Sequence, residues 1–140
     1  MNILDWIRLF ESLSQGELDN LSIFCQERFL KIWEILFNEW DDAVALYILK
    51  SGKLKVFKER SDGKKTLWFT EIWEMVWEMA IFDSINWIPK KRMASVIAEE
   101  NSVLLVIMNY SIVELSKKHS DIYEKIIKII EKRKQLNNGV

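Results

Sequence analysis

Apolar residues at helical spacing open the chain. They recur every third position in two successive segments, at Leu4, Ile7, Phe10 and Leu13 and then at Leu18, Leu21 and Phe24. Between the two segments, Ser14 and Glu17 have the spacing of a capping box, in which side chains and backbone N–H groups bond reciprocally. The pattern therefore predicts two short helices over residues 1–26.

From about residue 27 the apolar period changes to two. Alternating runs cover 46–49, 53–58, 66–72, 92–98 and 103–108. Gly52 and Gly63 separate the first three runs, as hairpin turns require residues that tolerate a positive φ. Many short strands closed by turns predict a mainly β domain, an antiparallel β-roll of the jelly-roll type (double-stranded β-helix), over residues 27–108.

Helical spacing returns at the end of the chain. Residues 110–118 form one amphipathic segment and residues 121–136 a second. The apolar stripe of the second segment consists of Ile122, Ile126, Ile129 and Ile130. We therefore expect C-terminal helices over 109–137, and a single domain over residues 1–140 with the order helix, β-roll, helix.

Composition narrows the class of protein. Hydrophobic residues make up 49% and charged residues 29% of the chain, as in ordered globular proteins. A net charge of -1 gives no general attraction to nucleic acid or to an anionic membrane, and no apolar run approaches the roughly 20 residues of a membrane span. We expect a soluble cytoplasmic protein. One His and one Cys provide neither a disulfide, nor a metal cluster, nor a nucleophile–base pair, so no enzyme is expected.

The candidate chemistry lies in residues 78–82 and in Arg92. A helix start with free backbone N–H groups, approached by an arginine from the next strand, suits a single negative charge. Glu78 adds acceptor oxygens for hydroxyl groups. Together these groups suit a phosphate attached to a sugar.

At these residues the chain resembles the cyclic nucleotide-binding domain family. The similar segments are 9–14, 17–18, 33–36, 39–41, 47–56, 77–82 and 92–96. Residues 77–96 look like the family's phosphate-binding cassette. The resemblance covers nearly the whole chain and implies a regulatory sensor domain built on a β-roll with flanking helices.

The resemblance also implies roles for single residues. Glu78 would bond the ribose 2′-hydroxyl, Arg92 would pair with the cyclic phosphate, and Ala80 would donate a backbone N–H to that phosphate. Met93 stands where many members that favour cGMP carry threonine, and a thioether cannot replace that hydroxyl, so cAMP is expected and cGMP less so. The implied ligand-binding residues are Glu78, Met79, Ala80, Arg92, Met93 and Ala94.

The last helix would be the lid of the site. One of Ile126, Ile129 and Ile130 would cover the base, and ligand binding would reposition the C-terminal helices. No DNA-binding module and no membrane segment is visible in the chain. The expected partner is therefore a second copy, joined through the C-terminal helix, or an effector protein.

Tryptophan stands where the family has glycine. Seven Trp accompany only four Gly, although typical usage predicts about ten Gly. The family pattern has glycine at the positions of Trp33, Trp40, Trp73 and Trp77, and glycine would also be unremarkable at Trp68 and Trp87. Because Trp77 directly precedes Glu78, its indole would occupy space that the phosphate and ribose need.

Three explanations for these tryptophans remain open. In the first, the tryptophans are genuine and plug the pocket. In the second, they are deliberate substitutions. In the third, the gene has UGA codons at these positions, which the source cell reads as glycine. Exchanging all six would give about ten Gly. Gly at position 77 favours a cyclic nucleotide sensor. A genuine Trp77 favours the alternative function, a ligand-free β-roll interaction module that docks a partner protein.

Overall fold

The computed structural model describes residues 8–42, 45–76 and 91–138, with only the backbone for residue 130 and residues 133–138. After a 3-10 turn at Arg8–Phe10, its elements in chain order are α1 (Gln15–Ile23), β1 (Gln26–Leu30), β2 (Ile35–Phe37), β3 (Ala45–Ser51), β4 (Leu54–Arg60), β5 (Gly63–Thr70), β6 (Met75–Val76), β7 (Ser95–Ala98), β8 (Ser102–Met108), α2 (Asn109–Lys118) and α3 (Ser120–Asn138). The predicted order of helix, β-roll and helix is confirmed.

The strands form two four-stranded sheets with antiparallel pairing throughout the described residues. The strand orders are β1-β8-β3-β6 and β2-β7-β4-β5. Alternate residues of each sheet point into the space between the two sheets and form one buried cluster, which we call the roll core. Its members include Leu49 and Leu104 from the first sheet and Val56 and Val96 from the second. The two sheets therefore enclose the interior of a β-roll, as predicted.

A second buried cluster, the helix core, lies on the outer face of the first sheet. It joins Phe10, Leu18, Leu46, Ile122 and Ile126 with further apolar residues of the helices and strands. Strand β3 contributes to both clusters, since Leu46 and Ile48 lie in the helix core and Tyr47 and Leu49 in the roll core. This burial on both faces explains why the β3 sequence is continuously apolar instead of alternating.

The predicted turns and the predicted cap are found, while one helix and two strand ends differ from the prediction. In the described part of the first predicted helix, only a 3-10 turn at Arg8–Phe10 is present. The Ser14–Glu17 capping box is formed, with N–O distances of 3.2 and 3.1 Å. Gly52 has a φ of 97°, and a Cβ there would lie 2.2 Å from the Ser102 hydroxyl oxygen. The strand predicted over 66–72 ends at Thr70 because residues 71–74 turn, and the strand predicted over 92–98 begins only at Ser95. In the described part of the chain, no helix is long and apolar enough to cross a bilayer.

Candidate ligand-binding site

Arg92 is a buried cation in the interior of the β-roll. Its side chain is among the largest that are fully enclosed, with 2% of the residue exposed. The guanidinium carbon lies 4.1 Å from the centroid of the Phe37 ring and 5.7 Å from that of Tyr47. Nη2 donates a hydrogen bond to the carbonyl oxygen of Ala45 at 2.9 Å. The guanidinium is thus held between β2 and β3, over an aromatic platform.

The turn at residues 38–41 fixes the backbone of Arg92. The Arg92 N–H donates to the carbonyl of Asp41, and the Trp40 N–H donates to the carbonyl of Arg92, both at 2.8 Å. Asp42, which follows Asp41, and Lys91, which precedes Arg92, form an antiparallel β-bridge and an ion pair. The same turn begins directly after Phe37, so it positions both the cation and the ring beneath it.

The electrostatics of this arrangement favour an anion. Arginine stays protonated at all physiological pH values, and a buried charge is costly unless hydrogen bonds or an opposite charge compensate it. A guanidinium is more weakly hydrated than an ammonium and stacks on aromatic rings, which lowers the cost of its burial on Phe37. Its planar fork can bind two oxygens of one phosphate side by side. The roll interior therefore offers a fixed positive charge suited to a phosphate.

The described part of the site contains three of the six predicted ligand-binding residues. Ala94 is fully buried in the roll core, as Arg92 is buried beside it. Met93, between them, is half-buried and packs against the helix core. The remaining three, Glu78, Met79 and Ala80, lie outside the described residues together with the pocket-adjacent Trp77. The roles predicted for these four stay predictions.

The three lid candidates are placed differently. Ile126 is 1% exposed and is part of the helix core. Ile129 is half-buried at the edge of that core and lines a cavity of about 620 Å³ between α3 and the roll, opposite Trp68 and Trp73. The side chain of Ile130 is outside the described set. Of the two described candidates, only Ile129 borders space that a ligand could occupy, and Arg92 is not among the residues that line this cavity.

Two features were missed in the sequence. The Phe37–Tyr47 platform depends on the fold bringing β2 and β3 to the same guanidinium, and local periodicity carries no signal for it. The second feature is a bond between His119 Nε2 and Glu17 Oε2 at 2.7 Å, which joins α1 to the junction of α2 and α3. This bond, with help from Ser14, lowers the pKa of Glu17 from 4.5 to about 2. A separation of 102 residues left no pattern from which to predict it.

Comparison with known families agrees with this fold. Residues 27–130 match the family model of the cyclic nucleotide-binding domain. The chain belongs to this family. The match spans all eight strands except the first residue of β1, together with most of α3, and it includes Arg92 and the predicted cassette. No protein among curated sequences matches the chain.

Solved structures share the fold of this cyclic nucleotide-binding domain. The catabolite activator protein of Thermus thermophilus is 24% identical with a TM-score of 0.74, and the match covers 93% of this chain and 59% of that protein. The sensor domain of the transcriptional regulator DNR from Pseudomonas aeruginosa is 22% identical with a TM-score of 0.78, covering 93% and 85%. The cAMP-bound form of the EAL enzyme Bd1971 is 22% identical with a TM-score of 0.64, covering 77% and 28%. At these identities the likeness establishes the fold.

Proposed function

We propose that this chain is a sensor domain for a cyclic nucleotide, cAMP in preference to cGMP. The observation that carries the proposal is Arg92, which is buried in the roll, stacked on Phe37 and located where the family resemblance places the phosphate-binding arginine. Family membership supports the ligand class independently of that geometry. The proposal includes no catalytic step, and a cyclic nucleotide ligand implies a cytoplasmic location.

In this proposal the ligand is held by its phosphate and its ribose. Arg92 supplies two charge-assisted hydrogen bonds to the cyclic phosphate, and each contributes about 1.5 to 3 kcal/mol net. Ala80 adds a backbone N–H to the phosphate, and Glu78 accepts from the ribose 2′-hydroxyl. Met79 and Ala94 complete the wall around these groups. The phosphate is the ligand's only charged group, so we expect its loss to weaken binding strongly.

Met93 favours adenine over guanine. A thioether is at most a weak acceptor, so it cannot pair with the polar edge of guanine as a threonine hydroxyl does. The similar fold of the EAL enzyme Bd1971, which is known in a cAMP-bound form, agrees with this choice. The substitution Met93→Thr should therefore raise the affinity for cGMP relative to cAMP, and Met93→Leu should leave the ratio unchanged.

Ligand binding would be reported by the C-terminal helices. Met93 and Ile129 both pack against the helix core, so a ligand that contacts the cassette and α3 together stabilises one arrangement of the helices. The output would be a homodimer joined through α3 or contact with an effector protein. Sedimentation with and without cAMP tests the first option, since a ligand-dependent dimer changes the measured mass.

A calorimetric titration tests the function itself. The titrants are cAMP and cGMP, and the proteins are the chain as translated, its Trp77→Gly variant and a double variant that also carries Arg92→Ala. We expect the Trp77→Gly protein to bind cAMP and the double variant to bind neither nucleotide. A folded Trp77→Gly protein that ignores both nucleotides would contradict the sensor and favour the ligand-free docking module.

A further inference from the structure

Three turns of the roll have the same construction, at residues 31–34, 38–41 and 71–74. In each, the N–H of the fourth residue donates to the carbonyl of the first, at 3.0, 3.1 and 3.1 Å respectively. The carboxylate of the fourth residue in turn accepts from the N–H of the first, at 2.9, 2.8 and 2.7 Å. We call these the carboxylate turns. One backbone design is therefore used three times.

The third residue of every carboxylate turn is tryptophan in the left-handed region. The φ angles are 71° at Trp33, 75° at Trp40 and 72° at Trp73, and no other non-glycine residue in the described ranges has a positive φ. A positive φ at the third position alone is the mark of a type II turn, which takes glycine or asparagine there. For a bulky side chain this conformation is a genuine outlier. The strain falls on the same position in all three turns.

Burial of the indoles does not explain this shared conformation. Trp33 is 61% and Trp40 is 70% exposed, so both keep most of their apolar surface in water, and only Trp73, at 38%, is more than half buried. What the fold uses is the backbone, because each N–H donates across the roll, to Ala98, Arg92 and Leu49 respectively, at 2.6 to 2.8 Å. These positions require a backbone conformation and do not require an indole.

The sequence separates the tryptophans into two groups. An acidic residue follows Trp33, Trp40 and Trp73, as the carboxylate turn requires, and one also follows Trp77, which lies outside the described residues. None follows Trp6, Trp68 or Trp87. Trp68 is the described member of the second group. It lies on β5 without a positive φ and packs against the roll core. Conformation and sequence context thus agree in separating position 68 from positions 33, 40 and 73.

We propose that positions 33, 40, 73 and 77 are glycine in the functional protein, encoded by UGA codons that the source cell reads as glycine, and that Trp68 is a genuine tryptophan. This narrows the six candidate positions of the sequence to four. It rests on backbone geometry and on the following acidic residue, so it is independent of the proposed ligand. Glycine at position 40 then positions Arg92 without strain, and glycine at position 77 leaves Glu78 without an adjacent indole.

The gene and the mass of the protein decide the coding. We expect UGA at codons 33, 40, 73 and 77 of the source DNA and UGG at codons 68 and 87. The intact mass of protein isolated from the source cell should be lower by the corresponding Trp-to-Gly exchanges. UGG at these four codons, or a mass that retains the four tryptophans, would overturn the proposal.

Stability measurements test the physical reason separately. Trp40→Gly should raise the ratio of folded to unfolded protein about tenfold in chemical denaturation, because it relieves the left-handed strain. Trp40→Asn should raise this ratio by a smaller factor. Trp40→Ala should leave it almost unchanged, since alanine is strained there as well. The matched control Trp68→Gly should lower the ratio. Should the translated chain not fold, the variant with glycine at positions 33, 40, 73 and 77 should fold. A Trp40→Gly loss as large as that of Trp68→Gly would overturn the argument.

Discussion

The two cores of this small domain are built from different chemistry. The roll core surrounds a cation, since Phe37 and Tyr47 are members of the cluster and the guanidinium of Arg92 lies on their rings. The α3 residues at the centre of the helix core are Ile122 and Ile126, both purely apolar. Apolar burial stabilises a fold, whereas an enclosed charge has a cost that a bound anion can offset. In the proposed function, the charged interior of the roll binds the ligand, while the helix core contributes only apolar burial.

The two cores are one strand apart. Within β3, Tyr47 contacts the roll core, while the adjacent Leu46 and Ile48 lie in the helix core. A change at Arg92 is therefore separated from the helices by the thickness of a single sheet. This closeness gives the proposed ligand a short physical route to α3.

Replacing Arg92 should produce the largest effect on binding. Loss of two charge-assisted bonds predicts that Arg92→Ala weakens cAMP binding by about two to four orders of magnitude, measured by calorimetry in the Trp77→Gly chain. Arg92→Lys keeps the charge but not the planar guanidinium, and it should lose less affinity for cAMP than Arg92→Ala does. Arg92→Met should leave the free energy of unfolding unchanged or raised, since an apolar side chain of similar length avoids the buried charge. A collapse of the fold in Arg92→Met would break the distinction between the cores.

For Ile126 we expect the opposite of Arg92, a large loss of stability. Its truncation to alanine removes a side chain that is fully enclosed in the helix core, so Ile126→Ala should lower the free energy of unfolding by about 2 to 5 kcal/mol. Ile129→Ala is the matched control at the edge of the same core and should cost about 1 kcal/mol or less, because its site is open to a cavity. Denaturant titration followed by circular dichroism measures both. Equal losses would show that depth in the helix core does not set stability.

A smaller effect on affinity is expected from the aromatic ring beneath Arg92. Phe37→Leu keeps apolar volume but removes the ring beneath the guanidinium, and we expect cAMP binding to weaken about three- to tenfold from the lost cation–π contact. Phe10→Leu makes the same exchange in the helix core and should leave affinity unchanged. If both variants lose equal affinity, the platform has no specific role.

The smallest effect concerns pH on the helix side. Because the folded-state pKa of Glu17 is about 2 against an ordinary 4.5, ionised Glu17 favours the folded state above pH 4.5, and this contribution disappears as the pH falls from 4.5 to 2. His119→Ala should raise the pKa of Glu17 toward 4.5, as measured by NMR of its carboxyl carbon. Lys117→Ala, at an exposed site on α2, should change it little. An unmoved pKa in His119→Ala would remove His119 as the cause.

Much of the fold could be predicted because its signals are local. Alternation placed the strands, Ser14 and Glu17 marked the start of α1, and Gly52 and Gly63 marked turns whose φ angles are indeed positive. The strand predicted over 66–72 was wrong at its end for a physical reason. Tryptophan at position 73 hid the turn at 71–74, which a glycine there would have announced.

The site was only partly predictable. Arg92 was predicted as a ligand-binding residue from its spacing after residues 78–82 and from the family resemblance, and that role stays a prediction. Its burial and its platform did not, because they depend on how β2 and β3 are placed around the guanidinium. The Glu17–His119 bond joins residues at opposite ends of the chain and was likewise invisible. Pairings across a fold become predictable only after the sheet order is known.

The most direct test of the central claim, that Arg92 reads the phosphate, is a thermodynamic cycle. The affinities of cAMP and of adenosine, which lacks the phosphate, are measured for the Trp77→Gly chain with Arg92 and with Arg92→Ala. We predict that removing the phosphate and removing the guanidinium each weaken binding strongly, and that removing both weakens it little more than removing either. Equal affinity for cAMP and adenosine with Arg92 in place, or additive losses, would contradict the claim.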